Sequence, residues 1–384
     1  MCLAAAALLA GTFTAAVPAA PVTAAPPAPI TASATANVSW PEFLRRHDMV
    51  WAWEGGDNRT WPASWQTAAW CGNGVHGLSP LVDHATAGLR FEVARTDVWS
   101  CGYAPRLPIG FLRLRTAGAM LRGAMRQSLS NGTVSGTLTT TEGTLRFRAW
   151  TSATHPASVV ELRPSAGERG AALELVAEPA FARTNQFLDA DRMRNPPPQC
   201  SSAAGGGGVS LCTQRLACDP SGHSGYTTAL LRASARAGAA DAQTYFVSVG
   251  NHQPTANMYP NLAAVTDQNS GQSPPLHRTD SQGNATAEAL ANVRAAAAQG
   301  DGLLEQHLDW WRGFYTSQSQ NSFISIPDTR LEGFYHIQQA KIGQAMRPDG
   351  VGITDQVGPF RADLAVICAR EPAGVNGTGW PFQM

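Results

Sequence analysis

Charge is scarce in this sequence, and none of it accumulates. Charged residues make up 15 % of the chain, and 28 Lys plus Arg balance 28 Asp plus Glu. No net field therefore favours nucleic acid or an acidic membrane surface. The apolar run near the amino terminus is too short to cross a bilayer as a helix, and no later segment is long and apolar enough to do so. No Cys-x-x-Cys pair occurs and no His stands at zinc-ligand spacing, so a metal site lacks its usual ligand pattern. A Gly-x-Ser-x-Gly nucleophile elbow is missing, and Gly72, Gly74 and Gly77 are not followed by the Lys-Ser/Thr of a phosphate loop. These absences predict no metal and no cofactor, no nucleic acid and no membrane as partner, and leave the oligomeric state open. What is present is 43 % hydrophobic residues in 384, enough for a packed core and long enough for two domains.

Residues 1–29 stand apart. An apolar run from Leu3 to Val17 is followed by Ala/Pro-rich sequence with small-residue cleavage positions near Ala19 and Ala25, which predicts a secretory signal peptide and a secreted protein. The basic segment that usually precedes such a run is lacking, so a low-complexity leader is the alternative. Without Cys2, the cysteines are Cys71, Cys101, Cys200, Cys212, Cys218 and Cys368, an even number that suits disulfides. Cys200, Cys212 and Cys218 surround the loop Gly205–Gly208, and Cys71 with Cys101 could join neighbouring strands; the pairing stays open. Asn-x-Ser/Thr triplets at Asn37, Asn58, Asn131, Asn284 and Asn376 are candidate glycosylation sites.

From about Ser39 to Gly250 the periodicity is that of strands, within a domain expected over residues 40–283. Short runs at 90–99, 109–116, 134–140, 144–150, 158–163, 172–177 and 244–249, several of them alternating, are bounded by Gly, Pro or Asn-Gly. Asn131-Gly132 and Glu142-Gly143 are hairpin signals. The pattern predicts one large antiparallel β-sandwich, with helices only after residue 283 and a long surface loop around Pro196–Pro198 and Gly205–Gly208. Six tryptophans between Trp40 and Trp70 are expected mainly in its core, although sugars also stack on such rings.

After 283 the period changes. Residues 284–322 read as a helical linker, with a helix from Thr286 to Gln299, a break at Gly300-Asp301-Gly302, and a second helix from Leu303 to Ser317 with Leu304, Leu308 and Trp311 on one face. An extended piece, Phe323 to Pro327, leads to a helix over 328–346. There Thr329 and Glu332 fit a capping box, and Leu331, Phe334, Tyr335, Ile342, Ala345 and Met346 form an apolar stripe that needs further helices to cover it.

Several phrases in this order carry a family resemblance. WCGNGVHG from Trp70 to Gly77, RTDVWS from Arg95 to Ser100, LPIG from Leu107 to Gly110, and the region from Ser130 to Thr140 resemble the amino-terminal sandwich of glycoside hydrolase family 95, within the six-hairpin glycosidases. DWW at 309–311, FY at 314–315, ISIPD at 324–328 and LEGFYHIQ at 331–338 resemble that family's linker and the first helix of its (α/α)6 toroid. The resemblance implies an α-fucosidase-like or related glycosidase with a carbohydrate substrate, and it makes 323–384 the truncated start of a catalytic domain with a divergent tail. Two carboxyl groups usually perform such hydrolysis, and the resemblance places both beyond residue 384.

No residue of the chain is therefore assigned as catalytic. The candidates for a substrate contact are Asp97, Trp99, Asp328 and Glu332. Asp97 has the alternative of ordering a strand end or pairing with an Arg, while Asp328 and Glu332 suit a helix start, where negative charge is favourable. Asp83 and Glu92 have no partner visible in the sequence. His76, His84, His252 and His336 read as structural. A non-catalytic carbohydrate-binding or degenerate family member and an unrelated structural sandwich are the competing readings.

Overall fold

The computed structural model describes residues 38–54, 62, 67–83, 88–98, 107–179, 195–202, 208–216, 225–233, 242–252, 284–317 and 323–346. The chain divides into two compact units, Met1–Val38 and Ser39–Met384, and every element below belongs to the second. The expected leader, Asn37, Asn58, Trp99, Cys101, Cys218, Cys368, Asn376 and the tail past Met346 lie outside the described residues, as do Trp61, Trp65 and His84.

Among the described residues, fourteen strands form two antiparallel sheets. The larger holds β1 (Met49–Glu54), β6 (Met120–Gln127), β7 (Val134–Thr140), β8 (Thr144–Thr151), β9 (Ser158–Pro164), β14 (Gln243–His252), β13 (Gly225–Arg232), β12 (Val209–Arg215) and β11 (Gln199–Ser202), in that spatial order. The smaller runs β10 (Ala172–Ala177), β5 (Gly110–Arg115), β4 (Gly88–Arg95), β3 (His76–Asp83) and β2 (Cys71–Gly72). Side chains from both, among them Trp53, Leu78, Phe91, Leu112, Leu145, Val160 and Val247, make one shared core. β7 and β8 alternate as a sheet with one wet face does. β13 and β14 do not, because both of their faces are buried.

The second face of those strands lies under helix α2 (Ala285–Gln299), where Ala289, Val293 and Ala296 meet Trp150, Val159, Ala229 and Phe246. Small side chains on α2 allow close approach. A Cβ on Gly250 of β14 would stand 1.9 Å from the carbonyl oxygen of Ala285. Asn284 caps this helix by accepting from the Ala287 N–H. Only Gly300 interrupts the path to α3 (Asp301–Thr316), so the expected break at 300–302 is shorter than the sequence pattern suggests.

The buried line of α3 is Leu303, His307, Trp311 and Tyr315, not Leu304 and Leu308. Polar atoms decide this. The Ala153 N–H donates to His307 Nδ1, so the ring proton sits on Nε2 and is donated to Asn131 O, while Tyr315 donates to Leu129 O. A second correction concerns residues 40–45, which form a short helix α1 (Trp40–Arg45) before the first strand. Trp40 belongs to an aromatic cluster with Phe43, Tyr315, Phe323 and His336 rather than to the sandwich core. A 3-10 turn at Ala166–Glu168 also precedes residue 283.

Cysteine chemistry is split. Cys200 and Cys212 face each other across β11 and β12 and form a disulfide, which contributes on the order of 2–4 kcal/mol by constraining the unfolded chain. Cys71 does not pair: it is a free, buried thiol whose Sγ donates to Leu78 O, and burial pushes its pKa up to about 12. The expectation that it joins a neighbouring strand through a disulfide therefore fails. It packs as a small apolar side chain instead.

Helix α4 (Thr329–Ala345) reverses its expected orientation. Leu331 and Phe334 are 59 % and 50 % exposed, and Ile342 and Met346 are exposed too. The face turned inward carries Glu332, His336, Gln339 and Gln344. Polar partners just after α1, Arg46 and His47, and in the preceding segment 323–328 set this orientation. Among the described residues, no helix is long and apolar enough to cross a membrane.

Candidate functional site

Asp97 lies in the turn just past the end of β4, two residues from Arg95, and the turn brings its carboxylate onto the Arg95 guanidinium. Arg95 Nε donates to Asp97 Oδ1 at 2.6 Å and Nη2 to Oδ2 at 3.0 Å, and both side chains are buried. The same guanidinium donates to Val249 O on β14 and to Glu288 on α2 at 2.7 Å. Asn251 completes the cluster, its Nδ2 donating to Asp97 O and its backbone N–H to Glu288. One cation thus ties the small sheet, the large sheet and α2 together.

Burial pushes Asp97 up, but Arg95 more than offsets this and holds the carboxyl below its usual range. His76 donates from Nε2 to the same Val249 carbonyl. Burial and the adjacent Arg95 charge lower its pKa to about 4, which keeps it neutral at physiological pH.

Glu332 sits where α4 meets α1. Its carboxylate accepts from the Ile326 N–H at 2.9 Å, from His47 Nε2 at 2.7 Å and from Arg46. Gly333 makes room, since a Cβ there would lie 3.0 Å from His47 Nδ1. Burial raises the Glu332 pKa, yet the Ile326 N–H, His47, Ser325 and the Arg46 charge outweigh it and bring the value to about 2. An ionised carboxylate only accepts, so His47 carries its proton on Nε2. The capping box expected from Thr329 and Glu332 is not formed. Asp328 is the cap, accepting from the Arg330 and Leu331 N–H groups, and Glu332 is drawn away to Arg46 and His47 just after α1.

A pH dependence follows. A carboxyl whose folded pKa lies below its unfolded value contributes stability above the unfolded pKa and loses it as pH falls through the folded one. The Glu332 contribution is therefore expected to be constant above about pH 5 and to decline between about 4.5 and 2. Urea midpoints of the parent and Glu332→Gln should diverge at neutral pH and converge toward pH 2. Parallel curves over that range would contradict the assignment.

The structure gives partners to Asp83 and Glu92: both face Arg90, at 3.8 and 2.7 Å. His336 is satisfied by Gln339 and Ile324 O. Asn131 accepts from the backbone and hydroxyl of Thr133 in its own turn, and Asn284 is exposed at the start of α2. Asp97 and Glu332 are not brought into one cluster with each other: each has its own basic partners. Sequence reasoning missed Arg46, His47 and Glu288, and allowed Asp97 an Arg partner without naming Arg95. Only Arg95 carried a usable signal, its i, i+2 relation to Asp97.

Chemically, Asp97 and Glu332 are anions already bound to donors, and neither is poised to deliver a proton near neutral pH. Among the described residues there is no cluster of three or more His, Cys, Asp or Glu able to hold a metal ion.

No protein-family model matches the sequence, and no curated protein matches it. Among solved structures, the chain has a weak likeness to a human-microbiome protein assigned as a kojibiose phosphorylase, at 11 % identity and a TM-score of 0.39, over 71 % of this chain and 36 % of that one. The chain thus spans about a third of that protein, and a likeness this weak defines no function.

Proposed function

We propose that this chain is the sandwich-bearing part of a glycan-acting protein of the glycoside hydrolase family 95 type, exported from the cell, and that its described residues engage carbohydrate without hydrolysing it. The observation that carries the reading is a contact between the two segments on which the sequence resemblance rests. The Gly74 N–H, in the WCGNGVHG loop, donates to Gln344 O at 2.7 Å, at the end of the helix that begins with the LEGFYHIQ phrase. A Cβ on Gly72 would meet that carbonyl oxygen at 3.0 Å, so the loop needs its glycine to seat the helix. Two phrases far apart in sequence are thus matched to each other in space. The engaged, ionised state of Asp97 and Glu332 supports the absence of hydrolysis, which requires a protonated acid opposite a second carboxylate. Export is supported by the composition of residues 1–29 and by the Cys200–Cys212 disulfide. An α-fucosidase-like substrate is the finer expectation.

The test pairs glycan-binding measurements with assays on aryl fucosides, galactosides and glucosides, using the parent, Asp97→Asn and Glu332→Gln. Binding without turnover is the expected result. Turnover abolished by either substitution in a folded protein would place an active site at that carboxylate. Failure to bind any glycan would leave only a structural sandwich.

A further inference from the structure

The two ends of α4 are enclosed differently. In the first turns the buried residues are Glu332, Gly333 and His336, a narrow strip whose polar groups are all satisfied. In the last turns Ala340, Lys341, Gly343, Gln344 and Ala345 are all buried, so the helix is surrounded on most sides. Two of these are polar side chains without partners. Lys341 is 9 % exposed and has no hydrogen bond or ion pair among the described residues. Gln344 is 1 % exposed, and neither its Nε2 nor its Oε1 finds a partner.

They are neighbours. Residues three apart on a helix stand side by side, with Cβ atoms about 5–6 Å apart. The Gly74 N–H fixes the Gln344 carbonyl, and the Trp70 ring packs against the same contact, 2.8 Å from where a Gly72 Cβ would be. Buried polar groups such as the Gln344 amide are normally paired. Burial alone lowers the Lys341 pKa, with no neighbouring carboxylate to counter it. Gln339, one turn back, is by contrast bonded to His336 and Tyr335.

We propose that Lys341 and Gln344, beside the Trp70 loop, form a binding site for the oxyanion of an acidic saccharide, a carboxylate or sulfate group. The ammonium supplies the charge and one donor, the Gln344 Nε2 a second donor, and its Oε1 an acceptor for a neighbouring hydroxyl. The saccharide part rests on the carbohydrate reading above; the oxyanion part stands on these two side chains alone.

Thermal unfolding of the full chain at fixed ionic strength tests both parts, with glucuronate, glucose, acetate and sulfate as probes. Glucuronate at about ten times its Kd is expected to raise the parent Tm by about 2–4 °C, and glucose by much less. Lys341→Met should abolish the response while unfolding at a higher temperature than the parent in anion-free buffer, because it removes an uncompensated charge. Gln344→Leu should weaken glucuronate at least about fivefold, the loss of one hydrogen bond to a charged group. Equal responses to acetate, sulfate and glucuronate would retain the oxyanion site and overturn its saccharide specificity. No response in the parent, or the same response in Lys341→Met, would overturn the site.

Discussion

Replacing Asp97 by Ala is expected to destabilise the protein by about 3–5 kcal/mol, the usual consequence of removing one partner from a buried ion pair. The reason is what remains behind. Arg95 would keep its guanidinium between the sheets with only Glu288, whose side chain is 23 % exposed, to balance the charge. Asn251 Nδ2 donates to the backbone carbonyl of Asp97, so that bond survives the change. Asp97→Asn should cost less than Ala, since it retains an acceptor at nearly the same place. A double replacement, Arg95→Met with Asp97→Leu, should recover much of the loss because it leaves no unpaired charge. Urea unfolding with an unchanged m-value would measure all three. Equal, small effects for Ala and Asn would show that the pair is screened rather than buried.

Gly132→Ala is expected to cost about 2–4 kcal/mol, from two additive causes. Gly132 has φ +62°, a left-handed conformation that an L side chain adopts at a cost of about 1 kcal/mol. A Cβ there would also stand 2.6 Å from Trp311 Cζ2 and 2.7 Å from Cε2, and overpacking of that kind typically costs about 1–3 kcal/mol. In a Trp311→Leu background the second cause disappears, so the same substitution should cost only about 1 kcal/mol. The double-mutant cycle isolates the contact between the β6–β7 turn and α3. An unchanged cost in both backgrounds would remove Trp311 from the explanation.

The Asn131-Gly132 turn was legible in the sequence as a hairpin, because the requirement for a left-handed residue is local. That a tryptophan from α3 rests on it was not, because this contact joins residues far apart in the chain. The same division recurs along the sandwich. β7 and β8 announce themselves by alternation, since each has one wet face. β13 hides its period: Thr227 and Thr228 are both buried, one face turned to the core between the sheets and the other to α2. β3 carries Pro80 and so reads poorly as a strand, yet β2 pairs only with its first residues, Gly77 and Leu78, and a missing N–H is tolerated where no strand lies alongside.

The candidate site shows the division most clearly. The carboxylate at 332 and the cap at 328 were both visible as a helix start, since capping is a matter of neighbours within one turn. Which of them caps was decided by Arg46 and His47, which draw Glu332 away. The apolar stripe of α4 predicts a buried face from Leu331 to Met346, but the helix turns most of it outward because Glu332, His336 and Gln339, on the opposite face, find partners.

By itself, then, the sequence determined the β-to-helical change near residue 283, the hairpin turns and the presence of a disulfide, all set by local period, backbone conformation or composition. The order of strands in the two sheets, the Arg95 staple, the neutral burial of His76 and the unpartnered neighbours Lys341 and Gln344 were decided only by tertiary structure. Each depends on which distant surfaces meet, and on whether a buried polar group finds a partner once water is excluded.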